Sequence, residues 1–135
     1  MIKGIKCSKL KIIKHKDGNI LHFLKNGDSD FSKFGEVYFS QVKYKKIKAW
    51  KKHDKMTMNL VVPSGKVKFV FFENNEFYDI TLSQKNYLRL TIKPKIWFGF
   101  MGLDKKISIV ANFSNIKHDP FEYKKLPLNK IIYNW

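Results

Sequence analysis

The sequence predicts a single all-β domain, a sandwich or barrel, on three observations. Short apolar runs recur between turn residues, at spacings of about 8–12 residues. No segment sustains a 3.6-residue apolar period over three turns. The 135 residues suffice for one core, and no linker, internal repeat or low-complexity block divides them.

The elements follow in order. Residues 9–14 mix Lys with aliphatic side chains and read as an edge strand within an N-terminal edge segment, 1–19. Asp17-Gly18-Asn19 is a turn ahead of a strand at 20–24, and 26–30 is a polar loop. Residues 35–42, GEVYFSQV, alternate, with Val37 and Phe39 on one face and Glu36, Tyr38 and Ser40 on the other. A short strand at 47–50 precedes another at 56–62, which runs into the turn Pro63-Ser64-Gly65. Strands are expected at 66–72, 77–82, 87–92 and 107–113, and short helices, if any, at 83–86 or 121–125. The aromatic ending IIYNW is expected to pack on the body or on a partner chain, since an exposed Trp135 is costly.

Composition narrows the class. At 44% hydrophobic and 16% aromatic the chain is too apolar for disorder, even at net charge +16. No apolar stretch approaches the roughly 20 residues of a membrane span, and the Lys-rich start lacks the apolar stretch of a signal peptide. The lone Cys7 allows no intramolecular disulfide and fits a reducing cytoplasm. The basic residues are spread along the chain, and of 27 Lys and Arg only Arg89 is Arg. Guanidinium groups read bases and phosphates bidentately, so nucleic-acid binding is disfavoured, whereas a field attracting small phosphorylated anions is expected. No G-x-S-x-G, Walker or G-x-G-x-x-G motif is present. The 11 Asp and Glu form no close pair of the glycosidase kind.

Five segments, in order, then carry a resemblance. Phe34-Gly35-Glu36-Val37-Tyr38 resembles an F-x-E-x-F/Y element, and IKAWKKHDKMTMNLVVPSG resembles I-K-G-W-H-x-H-K-x-M-T-x-N-x-V-x-x-G. TIKPKIWFGFMG, ANFSNIKHDPFEY and IIYNW resemble I-P-P-G-x-W-x-G-F-x-G, A-N-x-x-x-x-x-H-D-P-x-E and I-P-Y-D-W. Across residues 20–135 the chain resembles the dTDP-4-dehydrorhamnose 3,5-epimerase family. That resemblance implies a cupin-type β-barrel or jelly roll, usually a homodimer, with a metal-free mechanism inside the barrel; proton transfer beside a ketone needs no cofactor. In the family a His is the base at C3 and C5 of a 4-keto-sugar, a Tyr donates from the other face, and a basic residue before the His holds the diphosphate.

The departures matter for chemistry. The family's basic residue falls on Lys48, but its catalytic His falls on Lys51, with the second His kept as His53. The tyrosine position falls near Val110, and a further His near Phe98. Removing a proton next to a ketone needs a base whose pKa lies near working pH, which imidazole has and an ordinary ammonium lacks. Lys51 and His53 are therefore both candidate bases, on one face of an alternating strand. Glu36, Lys48, Trp50, Asn59, Trp97, Phe98 and Asn112 are expected to bind substrate or wall the pocket. With no Tyr opposite, two-sided epimerisation is disfavoured against a one-centre epimerisation or keto-isomerisation. With only His53 left of the metal-cupin pattern, no metal is expected. The reading is a sugar-nucleotide epimerase or isomerase of surface-polysaccharide biosynthesis, acting on a dTDP-4-keto-6-deoxysugar. The alternatives are a non-catalytic sugar-nucleotide-binding relative and a basic nucleic-acid-associated protein.

Overall fold

In a computed structural model, which describes residues 2–135, the chain forms two five-stranded antiparallel sheets packed face to face. The strands are β1 (Ile5–Lys9), β2 (Ile12–Ile13), β3 (Ile20–Leu21), β4 (Glu36–Val42), β5 (Ile47–His53), β6 (Met58–Ser64), β7 (Lys66–Glu73), β8 (Glu76–Ser83), β9 (Leu88–Ile92), β10 (Trp97–Gly102), β11 (Ser108–Ser114) and β12 (Tyr123–Lys125). One sheet runs β1-β9-β6-β11-β4, the other β12-β5-β10-β7-β8, and β2-β3 is a small separate hairpin. This is the cupin-type jelly roll expected. Among the described residues no helix is long and apolar enough to cross a membrane.

Period-two alternation builds three apolar layers. Val67, Phe69 and Phe71 of β7 meet Met58, Leu60 and Val62 of β6 and Leu90 and Ile92 of β9 between the sheets. The opposite face of the first sheet, with Val61, Tyr87 and Ala111, lies under Leu10, Ile12, Leu21 and Phe23. The opposite face of the second sheet, with Trp50 and Val70, lies under Ile131, Tyr133 and Trp135. The tail thus covers the body: Trp135 stacks 5.3 Å from Trp50, and the Tyr133 hydroxyl donates to Asp79 at 2.6 Å.

Several sequence expectations are corrected. Residues 121–125 form no helix, because β12 is held by pairing to β5, with Tyr123 opposite His53 and Lys125 opposite Lys51. Residues 83–86 form a turn in which the Ser83 hydroxyl accepts from the Lys85 and Asn86 amides. The edge strand expected at 9–14 is split into β1, which starts at Ile5, and β2. Strand β10 went unassigned because its glycines obscure the alternation, and β5 extends to His53.

The single arginine has a structural task. Arg89 is buried and donates to Asp28 at 3.0 Å, to Asp30 at 2.8 Å and to the Phe23 carbonyl at 3.0 Å. It pins the 23–30 loop to the first sheet through charge-assisted bonds.

One irregularity orients the cavity. Strand alternation alone puts positions 48 and 51 on opposite faces. Between β10 and β5, however, Phe98 pairs with Lys51 and Phe100 with Lys48, so the single residue Gly99 of β10 faces two of β5, Ala49 and Trp50. This bulge turns Lys48 to the face that carries Lys51 and His53. The extra residue is accommodated at Gly99, where an added Cβ would stand 2.4 Å from the Ala49 Cβ. Gly99→Ala is expected to destabilise the fold by about 1–3 kcal/mol in urea denaturation, as overpacking does. Adding Ala49→Gly should recover part of that loss.

Candidate functional site

Between the sheets, at the end not filled by the core, lies a cavity of about 550 Å³. One wall comes from β4, which turns Glu36, Tyr38 and Ser40 inward. The facing wall comes from β5, with Lys48, Lys51 and His53, and from β10, with Phe98 and Phe100. Met56, Met58, Leu60 and Val110 form an apolar floor continuous with the core, and Asn112, His118 and Lys125 complete the lining.

The most constrained group is His53, at 3% exposure. Its Nδ1 bonds the Glu122 carboxylate, and Glu122 Oε2 also accepts from the Lys55 and Met56 amides at 3.1 and 3.3 Å. Burial works against the Glu122 charge. The His53 hydrogen bond and the two amides outweigh it and hold the carboxyl below its usual range. Burial pushes His53 below its ordinary 6.5, while the Glu122 hydrogen bond and charge pull the other way. The outcome is a neutral imidazole that donates through Nδ1 to an ionised carboxylate. Its other nitrogen, Nε2, keeps its lone pair and has no hydrogen-bond partner. The Phe98 ring stacks along the imidazole at 6.2 Å and fixes its plane.

Two further groups face this base. Tyr38 projects from the opposite sheet; burial pushes its phenol above the usual value, the Asn112 side chain opposes that rise, and the Glu36 and Glu122 charges add to it. It is therefore protonated at neutral pH. The buried Asn112 is the cross-strand partner of Tyr38, and its side chain lies against the phenol; among the described residues its amide atoms make no other side-chain hydrogen bond, which leaves capacity for a guest. Around them Lys48, Lys51 and Lys125 outnumber Glu36, whose carboxylate already accepts from the His118 amide at 3.0 Å. The cavity suits an anionic, hydroxyl-bearing guest.

The structure brings Glu36, Lys48, Lys51, His53, Phe98 and Asn112 together, but three sequence-selected residues lie differently. Asn59 points to the opposite face of β6, where it donates to the Asp30 carbonyl at 3.2 Å and accepts from Thr91 at 2.7 Å. Trp97 alternates away from Phe98, to the face beneath the tail, with Lys52 above its ring at 4.8 Å. Trp50 borders the cavity but its indole is buried under the tail, donating to the Ile131 carbonyl at 3.1 Å.

Sequence reasoning missed two residues. Tyr38 stood in plain view of the alternating strand, yet the tyrosine was sought at Val110, whose neighbours on β4 are offset by two residues. The expectation of no tyrosine facing the base is thus corrected. Glu122 lies in 121–125, where the sequence offers at most a short helix and no signal for a site residue. Among the described residues, no group of three or more His, Cys, Asp or Glu side chains could hold a metal ion.

Several solved structures share the architecture. A dTDP sugar isomerase from Desulfovibrio desulfuricans G20 is 34% identical, with a TM-score of 0.90 over 93% of this chain and 85% of that one. A sugar 3,4-ketoisomerase from Thermoanaerobacterium thermosaccharolyticum, solved in complex with TDP, is 21% identical, with a TM-score of 0.80 over 92% and 89%. A dTDP-6-deoxy-D-glucose-3,5-epimerase from Legionella pneumophila, solved with dTDP-4-keto-L-rhamnose, is 15% identical, with a TM-score of 0.81 over 93% and 73%. The last two are alike in fold alone. No protein-family model and no curated protein matches the chain significantly.

The dyad sets a testable titration. The His53 ring is expected to hold its proton on Nδ1 and to protonate with a midpoint below 6.5, read by ¹⁵N NMR. Because the Glu122 charge raises the imidazole pKa, Glu122→Gln should move that midpoint lower still.

Proposed function

Because this chain belongs to the family of dTDP-sugar isomerases and epimerases, we propose that it binds a dTDP-4-keto-6-deoxysugar and moves a proton at a carbon next to the ketone. The observation that carries this reading is the bare Nε2 of His53, buried on the wall of a polar cavity and backed through Nδ1 by Glu122.

The chemistry follows from what each group can hold. His53 Nε2 takes the proton from the carbon beside the carbonyl, and Glu122 stabilises the imidazolium that forms. The electron pair passes to the ketone oxygen as an enediolate. The Tyr38 phenol, on the facing sheet, returns a proton to carbon from the other side, which inverts one centre. Protonation at the neighbouring carbon instead shifts the keto group. Either outcome balances through proton transfers alone and needs no redox cofactor. Lys48, exposed at the rim, meets the diphosphate, Asn112 bonds sugar hydroxyls, and Phe98 and Phe100 flank the ring. The product is an activated deoxysugar of the kind that surface-polysaccharide assembly consumes in the cytoplasm.

A homodimer belongs to the same reading. Strand β4 is a sheet edge whose outer face carries Val37 at 44% and Phe39 at 69% exposure, with Phe34 at 66% beside it. Unprotected apolar edges are normally covered or charged. A second copy of the chain covers this one. Phe39→Lys is expected to convert a dimer to a monomer in light scattering, and a monomeric wild type would refute the arrangement.

Incubation with dTDP-4-keto-6-deoxyglucose in deuterated water is expected to place deuterium on the ring carbon next to the ketone, read by NMR. His53→Asn should lower the exchange rate by about 100-fold or more, the usual weight of a general base. Lys48→Ala should weaken dTDP binding by about tenfold, the loss of one charge-assisted contact, and leave His53 titration unchanged. Full exchange in His53→Asn would remove the base assignment.

A further inference from the structure

Lys51 has a position in the cavity that proton transfer by His53 leaves unused. It occupies the place where the family resemblance expects an imidazole. It shares one strand face with His53 and lies half-buried in the lining. Its Nζ stands 4.3 Å from the Tyr123 ring centre, and its cross-strand partner is a second lysine, Lys125. Among the described residues no carboxylate lies within ion-pair distance of it. Burial lowers the pKa of its ammonium, the Lys125 charge lowers it further, and Glu122 opposes both.

An amine that is partly desolvated, next to another cation and without a counter-ion is a nucleophile toward carbonyl carbon. The guest of the preceding section carries a ketone, so this inference rests on that reading. We propose that Lys51 forms an imine with the C4 ketone of the bound sugar, and that the proton moved by His53 leaves this iminium rather than the free ketone.

The steps balance. After the Lys51 ammonium gives up a proton to solvent, its amine adds to C4, so a C–N bond forms while the carbonyl π bond breaks and its oxygen takes a proton. The carbinolamine loses water to give the iminium. His53 Nε2 then removes the proton from the neighbouring carbon, and the electron pair flows to nitrogen as an enamine. Reprotonation at that same carbon restores the iminium, and water returns the ketone and the free amine; protonation at C4 instead would leave the sugar bound as a secondary amine, so the imine route serves inversion of one centre and not the keto shift. Water is released and consumed once per cycle, and nothing is oxidised or reduced. A cationic iminium acidifies the adjacent C–H more than a neutral ketone does. Lysine at position 51 is thus not a lost imidazole but a second way of weakening the same bond.

The test uses the wild-type protein with dTDP-4-keto-6-deoxyglucose and sodium cyanoborohydride, followed by peptide mapping by mass spectrometry. The expected result is a reduced sugar-nucleotide adduct on Lys51, absent from Lys51→Arg, which keeps the charge but cannot form the imine. In ¹⁸O-labelled water the protein should also accelerate exchange of the C4 oxygen, and Lys51→Arg should not. If wild-type protein exchanges deuterium at carbon but gives neither adduct nor ¹⁸O acceleration, the imine is overturned and the sugar-nucleotide reading stands. If it shows no dTDP binding and no deuterium exchange, both fall together. An adduct confined to exposed lysines overturns the imine as well.

Discussion

The pairing of β12 with β5 is the constraint on which the site depends. It is a short contact, three residues on the last strand, yet it carries Glu122 from near the end of the chain to the ring of His53. A buried imidazole without a fixed partner can take either tautomer and rotate. With a carboxylate on Nδ1 and an aromatic ring along its face it can do neither. The carboxylate in turn is held by the Lys55 and Met56 amides, which begin the turn out of β5. The imidazole is therefore oriented by two side chains remote from it in sequence, Glu122 and Phe98, and the carboxylate among them is itself fixed by backbone amides.

The barrel inverts the usual relation between pattern and burial along one strand. On β4 the polar positions Glu36, Tyr38 and Ser40 face inward while Val37 and Phe39 face out. Elsewhere the sheets obey the ordinary rule, as in β7, where Val67, Phe69 and Phe71 fill the core. Two circumstances make the inversion affordable. Inside, a cavity replaces the core, so polar groups there keep a guest or solvent as partner. Outside, an apolar edge is stable only when covered. A cavity and an exposed apolar surface are two sides of one seven-residue segment.

Much of this was legible in the sequence. Alternation located most strands, and the ordered motifs located the barrel and the group formed by Lys48, Lys51 and His53. What was not legible has physical causes. The presence of Lys48 on the inner face depends on a bulge beside Gly99, and a bulge changes the count by which faces are assigned. Asn59 and Trp97 sat within motif segments, but alternation sends their side chains to the opposite faces of their sheets, and motif membership does not record direction. Glu122 was hidden because a carboxylate partner of a base is defined by proximity in space. Strand β12 is not foreseen, and a short helix at 121–125 stays open, because three residues show no usable period and only the neighbouring strand decides their conformation.

The apolar floor of the cavity has a further implication. Met56, Met58, Leu60 and Val110 line the chamber, and Met56, Met58, Leu60 and Val110 also belong to the cluster that holds the sheets together. No polar layer separates solvent-reachable space from structural packing. The boundary between the two can therefore migrate one side chain at a time. A shorter residue at any of these positions deepens the chamber, and a longer one makes it shallower, without touching the His53–Glu122 pair. Such a scaffold can change the shape of the space it offers a guest while the polar wall stays in place.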